Sequence, residues 1–115
     1  MFREVFGMSY SFFSTLSRLK YINRWGLMNN TRNENLSEHS LEVAFIAHAL
    51  CIIKNKRFGG SIDADKVAVY AMFHDCTEII TGDLPTPIKY SSKKLREAYK
   101  AVEEEAGERL LSTLP

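Results

Sequence analysis

A histidine and an aspartate, His74 and Asp75, stand side by side at the end of the apolar run Val67-Ala68-Val69-Tyr70-Ala71-Met72-Phe73. Neutral imidazole and carboxylate are donors suited to borderline and hard divalent cations such as zinc, manganese, cobalt or iron. A cation that activates water needs three or more protein ligands and one open position. His39, upstream, offers the third donor. A divalent ion held by His39, His74 and Asp75 would bring the pKa of its water from about 15.7 towards 7, giving hydroxide at neutral pH. Glu78, one helical turn past His74, can take or deliver a proton, and Asp83 can position the attacking water or a substrate hydroxyl. Arg24 brings a planar, permanently charged fork that matches phosphate oxygens, and Trp25 beside it brings a flat wall for a sugar or base. The set reads as a site for a phosphomonoester on a nucleoside-like body. Each residue alone has an ordinary reading as a core histidine, a solvated arginine or a surface carboxylate. His48 keeps that ordinary reading.

Four helices are expected to carry these residues. Phe12, Leu16, Leu19 and Ile22 recur at helical spacing, and Gly26 with the polar run to Glu34-Asn35 reads as a loop over 26–36. Ser37 is the expected N-cap of the next helix, with Glu38 in its first turn. Its buried stripe is expected through His39, Val43, Ile46, Leu50 and Ile53, ending in Lys54, Lys56, Arg57 and Gly59-Gly60. Asp63 caps a third helix, whose Val67, Ala71, His74 and Glu78 share one face. Gly82, Pro85 and Pro87 then end that element and stiffen the following loop. Ser91 or Ser92 starts a last helix with Leu95, Ala98, Val102 and Leu110 on its apolar face and Glu103-Glu104-Glu105 on the solvated one. The fold class is all-α.

Composition narrows the alternatives. A length of 115 residues suits a single domain over 1–115, and 45% hydrophobic with 25% charged residues is the balance of a globular chain. A net charge of +1 gives no general attraction to a nucleic-acid polymer or a membrane surface. No continuous run nears the ~18 apolar residues of a membrane span, and Met1 to Gly7 holds no apolar stretch of signal-peptide length. Cys51 and Cys76 lie in apolar stretches and are expected to be reduced and buried, which makes the cytoplasm the expected location.

The order and spacing of these residues resemble the HD-domain phosphohydrolases, named for their His-Asp pair, and within them the bacterial 5'-deoxynucleotidases. The matching stretches are Leu16-Ser17-Arg18-Leu19-Lys20 with Ile22-Asn23-Arg24-Trp25, Glu34-Asn35 with Ser37-Glu38-His39-Ser40, His74-Asp75 with Glu78, and Thr81-Gly82-Asp83-Leu84-Pro85-Thr86-Pro87. The last string is much more specific than the His-Asp pair. The resemblance implies an HD-domain helical bundle that hydrolyses 2'-deoxyribonucleoside 5'-monophosphates with a divalent metal (cobalt, manganese, zinc, iron or copper). It implies His39, His74 and Asp75 as metal ligands, with His39 also near substrate, and Glu78 and Asp83 as catalytic residues. It further implies Arg24 on the phosphate, Trp25, Asp83, Leu84, Pro85 and Thr86 around the nucleotide, and a homodimer. The family's fourth ligand, an Asp on a later helix, has no counterpart from Asp83 onward. The chain is therefore expected to be the N-terminal portion of such a bundle, incomplete at its C-terminus, binding metal weakly and turning over little. Two alternatives remain: an HD-type hydrolase of a triphosphate, cyclic nucleotide or alarmone, and a non-catalytic metal- or nucleotide-binding module.

Overall fold

A computed structural model describes residues 11–25, 29 and 31–115. It is mostly helical, and among the described residues there is no strand, only an isolated antiparallel bridge between Asn23 and Asn35. The expectations for the segment 1–7 and for Gly26 lie outside the described residues.

The first apolar stripe forms α1 (Phe12–Leu16), which tightens into a 3₁₀ turn over Ser17–Tyr21. Ile22 is already extended, so the helix is shorter than its spacing implied. The cause is a competing partner for the backbone: Arg24 N–H donates to Glu34 O at 2.8 Å and Leu36 N–H to Ile22 O at 2.9 Å. That pairing carries Arg24 alongside the start of the next helix.

Helix α2 (Leu36–Arg57) begins earlier than a Ser37 cap would allow. Asn35 is the N-cap: its Oδ1 accepts the Glu38 N–H at 2.9 Å, and Glu38 Oε1 reaches back to the Asn35 N–H at 3.4 Å and to its Nδ2 at 2.8 Å. This reciprocal capping box satisfies donors that Ser37, already inside the helix, cannot reach. The buried stripe is also displaced. Leu36, Ser40, Ala44 and Cys51 are buried, whereas Ile46, Leu50 and Ile53 are exposed. The side chains at 40 and 44 are small and buried, and α2 against α3 (Ala64–Phe73) is the most extensive helix pairing of the described residues. Apolar residues surround α2 on nearly every side, which is why periodicity alone picked the wrong stripe. By length and composition α2 could also cross a membrane, a criterion that core helices of soluble proteins meet as well.

Asp63 caps α3 as expected, its Oδ1 accepting the Lys66 N–H at 3.1 Å. The helix does not run on to Glu78. It closes at Phe73, His74 forms its C-cap, and a turn separates it from the short α4 (Glu78–Thr81). Gly82, at φ +74°, ends α4. Beyond it the prolines do not only stiffen a loop: Pro85 caps one more helical turn, α5 (Thr86–Lys89), with Pro87 in its first turn, where a missing N–H costs nothing. Ser92 caps α6 (Lys93–Leu111), its Oγ accepting the Leu95 N–H at 3.1 Å. Ala106 and Leu110 are buried in α6, whereas Val102 and Ala98 are exposed. Glu103 is not on the solvated side; it is half-buried and paired with Lys89 at 3.3 Å. Helix α6 packs on α4 and α5, and its end returns to α1 through Phe12 N–H to Thr113 O at 3.3 Å. The start of α1 and the end of α6 thus meet.

Candidate metal and nucleotide site

His39 is half-buried, one turn into α2, because the Asn35 cap fixes where the helix starts. His74 and Asp75 sit just past the end of α3, where the helix gives way to a turn. The α2–α3 packing brings them together: His39 Nε2 lies 3.3 Å and His74 Nε2 2.9 Å from Asp75 Oδ2, and the two rings are 5.3 Å apart in a tilted edge arrangement. One ligand atom from each of the three lies within 4.8 Å of the others. Ligands at about 2.1 Å around one cation stand about 3.0–3.4 Å apart, close to the spacing of both imidazole nitrogens from Asp75 Oδ2, and the donor types suit a divalent ion.

The far side of each ring is engaged as well. His74 Nδ1 is 2.6 Å from Ala71 O, so the proton belongs on Nδ1 and the Nε2 lone pair is free. His39 Nδ1 faces Glu34 Oε1 at 3.5 Å, which favours the same tautomer. Burial, reinforced by the nearby Arg24 charge, holds the His39 pKa below its ordinary value, and neutral imidazole is the form that ligates.

Glu34 is a residue that sequence reasoning did not single out. Its Oε1 accepts from Arg24 Nη1 at 2.7 Å as well as facing His39, so one carboxylate ties the phosphate-binding candidate to the metal-ligand candidate. The Arg24 hydrogen bond holds the Glu34 pKa below the usual carboxylate range, opposed by desolvation. The signal was present in the Glu34-Asn35 dipeptide just before the helix. Its meaning depends on the Asn23–Asn35 bridge, which no local pattern announces.

Arg24 lies with its guanidinium 4.7 Å from the centre of the Trp25 ring. Trp25 has φ +62°, the one described non-glycine residue in the left-handed region, a conformation that costs energy and concentrates at binding sites. Opposite these two, Asp83, Leu84, Pro85 and Thr86 form the other wall of a small pocket. All the nucleotide-contact candidates except His39 therefore line one cleft, and Glu34 joins that cleft to His39.

Glu78 does not share a continuous helix with His74, yet the turn after Asp75 still brings it to the same region. Its carboxyl is pushed up to about 8, first by burial and then by the charges of Asp75 and Asp83. Its Oε2 is buried without a hydrogen-bond partner among the described residues. A protonated carboxyl of this kind is a proton donor in reserve. Cys51 is buried and Cys76 half-buried, both as free thiols, and burial raises the Cys76 pKa. His48 meets the exposed Asp65, at 3.5 Å.

The family model described as "5'-deoxynucleotidase YfbR-like" matches residues 11–115. Curated proteins named 5'-deoxynucleotidase from Yersinia pestis (strain Pestoides F) and Yersinia pseudotuberculosis serotype O:3 (strain YPIII) are each 59% identical to this chain over 104 residues. The match covers 90% of this chain and 53% of each relative, so the chain spans about half the length of the curated relatives it matches.

Proposed function

This chain belongs to the YfbR-like 5'-deoxynucleotidase family, and from that premise we propose that it carries the metal- and nucleotide-binding part of a phosphomonoesterase acting on 2'-deoxyribonucleoside 5'-monophosphates. The observation that carries the reading is the convergence of His39 Nε2 and His74 Nε2 on Asp75 Oδ2 beside the Arg24–Trp25 cleft. His39, His74 and Asp75 hold a divalent cation. When bound, that ion supplies Lewis acidity and a water acidic enough to ionise near neutral pH.

Arg24 grips the phosphate oxygens through the nitrogens that Glu34 leaves free. Trp25 and the wall Asp83 to Thr86 enclose the deoxynucleoside, with His39 close to the phosphate, and Asp83 orients the attacking water. Hydrolysis forms one P–O bond to the oxygen of water, whose proton is released to solvent, and breaks the bond to the 5' oxygen. Glu78, protonated at neutral pH, gives its proton to that departing oxygen. The substrate is a free small nucleotide and not a polymer, in keeping with a net charge of +1. The apolar residues Phe45, Ile46 and Leu50 exposed on α2 suit a homodimer, and free thiols suit the cytoplasm.

Phosphate release from dAMP, AMP, dATP and cyclic AMP, with divalent cobalt or with a chelator, tests the proposal. The low turnover expected of this chain should be cobalt-dependent and greater for dAMP than for AMP, and should be lost in Glu78→Ala at retained dAMP binding. A preference for dATP or cyclic AMP would move the reading to another nucleotide hydrolase. Metal and nucleotide binding without turnover in any arm would make the chain a binding module.

A further inference from the structure

The wall Asp83 to Thr86 is held at its ends by α6, at two points one helical turn apart. Tyr99 Oη donates to Gly82 O at 3.0 Å and lies 3.3 Å from Thr81 Oγ1. Glu103 Oε1 accepts from Lys89 Nζ at 3.3 Å, and the same ammonium sits 4.8 Å from the centre of the Tyr99 ring. Desolvation would lower the Lys89 pKa, but the hydrogen bond and charge of Glu103 outweigh it and hold it above the ordinary value. Tyr99 and Glu103 are i and i+4, so one face of α6 meets the segment 82–89 at its first and last residue.

The first anchor falls at the point of greatest freedom. Gly82 has φ +74° and open space where a Cβ would stand; its N–H donates to Glu78 O and its carbonyl accepts from Thr81 Oγ1 at 3.1 Å, so the bond from Tyr99 is the one restraint on it that comes from α6. The opposite wall, Arg24 and Trp25, is fixed by the backbone pairing of Arg24 with Glu34. The width of the cleft is therefore set by where α6 holds the segment 82–89.

We propose that Tyr99 and Glu103 are positioning residues that gauge the nucleotide cleft, so that α6 governs deoxyribose discrimination without touching the nucleotide. The proposal rests on the deoxynucleotide reading of the cleft. It separates affinity for the nucleoside body from affinity for phosphate, because Arg24 lies on the wall that α6 does not hold. Removing the Tyr99 hydroxyl frees one end of the segment while the ring keeps its packing. Loss of such a bond is expected to weaken dAMP binding about tenfold.

Trp25 is the sole tryptophan of the chain, so its fluorescence reports ligand in the cleft. Titrations of the whole chain and of Tyr99→Phe and Glu103→Gln would use dAMP, AMP and inorganic phosphate, alongside amide exchange at 82–86. The expected result is weaker dAMP binding, a narrower dAMP-to-AMP ratio, unchanged inorganic phosphate affinity, and faster exchange at 82–86 in both variants. Unaltered exchange and an unaltered dAMP-to-AMP ratio in both variants would overturn the proposal. So would an equal loss for dAMP and inorganic phosphate, the mark of general unfolding. If the unsubstituted chain binds no dAMP, the deoxynucleotide reading fails, and the exchange rates still decide whether α6 holds the wall.

Discussion

Replacing Glu78 by glutamine should abolish a pH dependence of stability that the native carboxyl imposes. Between its ordinary value of 4.5 and about 8, the folded chain keeps a proton on Glu78 that the unfolded chain has released. The folded state thus binds more protons across that window. Glu78's contribution is fully favourable below 4.5, declines as pH rises, and levels off above about 8. A tenfold change in a protonation constant is worth about 1.4 kcal/mol, which bounds the effect at about 5 kcal/mol. Glu78 is only half-buried, and solvent screening reduces that to about 2 kcal/mol. Glutamine has the same shape and no charge to desolvate, so it should remove the slope while keeping the packing. With an m-value of about 1–1.5 kcal/mol per molar urea, the midpoint should fall by about 1.5 M from pH 4.5 to 8 in the native chain, relative to the variant. Urea titrations followed by far-ultraviolet circular dichroism, in chelator so that no cation shifts the balance, measure it. His39, held below its ordinary pKa, contributes a slope of opposite sign below pH 6.5, present in both proteins and removed by subtraction. Parallel stability curves for the two proteins across this window would refute the reasoning, because Glu78 would then titrate as an ordinary solvated carboxylate.

Asp75→Asn should weaken divalent cobalt binding by more than about a hundredfold, since it removes charge from the atom both imidazoles face; isothermal titration measures it. Arg24→Lys should weaken inorganic phosphate binding about tenfold, through loss of the planar fork, and Trp25 fluorescence follows it. Asn35→Ala should lower stability by about 1 kcal/mol in urea denaturation, because the Glu38 N–H at the start of α2 loses its acceptor.

The metal-site candidates were legible in the sequence because their chemistry is local. An adjacent His-Asp pair after an apolar run and a histidine in the first turn of an apolar helix supplied the donors, and the Gly-Asp-Leu-Pro-Thr-Pro string carried the family resemblance that joined them. Element types were legible for the same reason: caps and glycine stops act over three or four residues. Tertiary structure decided the rest. Only packing could choose the stripe through Leu36, Ser40, Ala44 and Cys51 on a helix that is apolar nearly all round, since hydrophobicity alone does not distinguish its faces. Only the pairing of Ile22 and Arg24 with Glu34 and Leu36 could cut α1 short, make Asn35 the cap and turn Glu34 into the link between Arg24 and His39. Only the seating of α6 could draw Glu103 out of an acidic run and set it on Lys89. In each case the partner lies ten or more residues away, beyond the reach of any helical period.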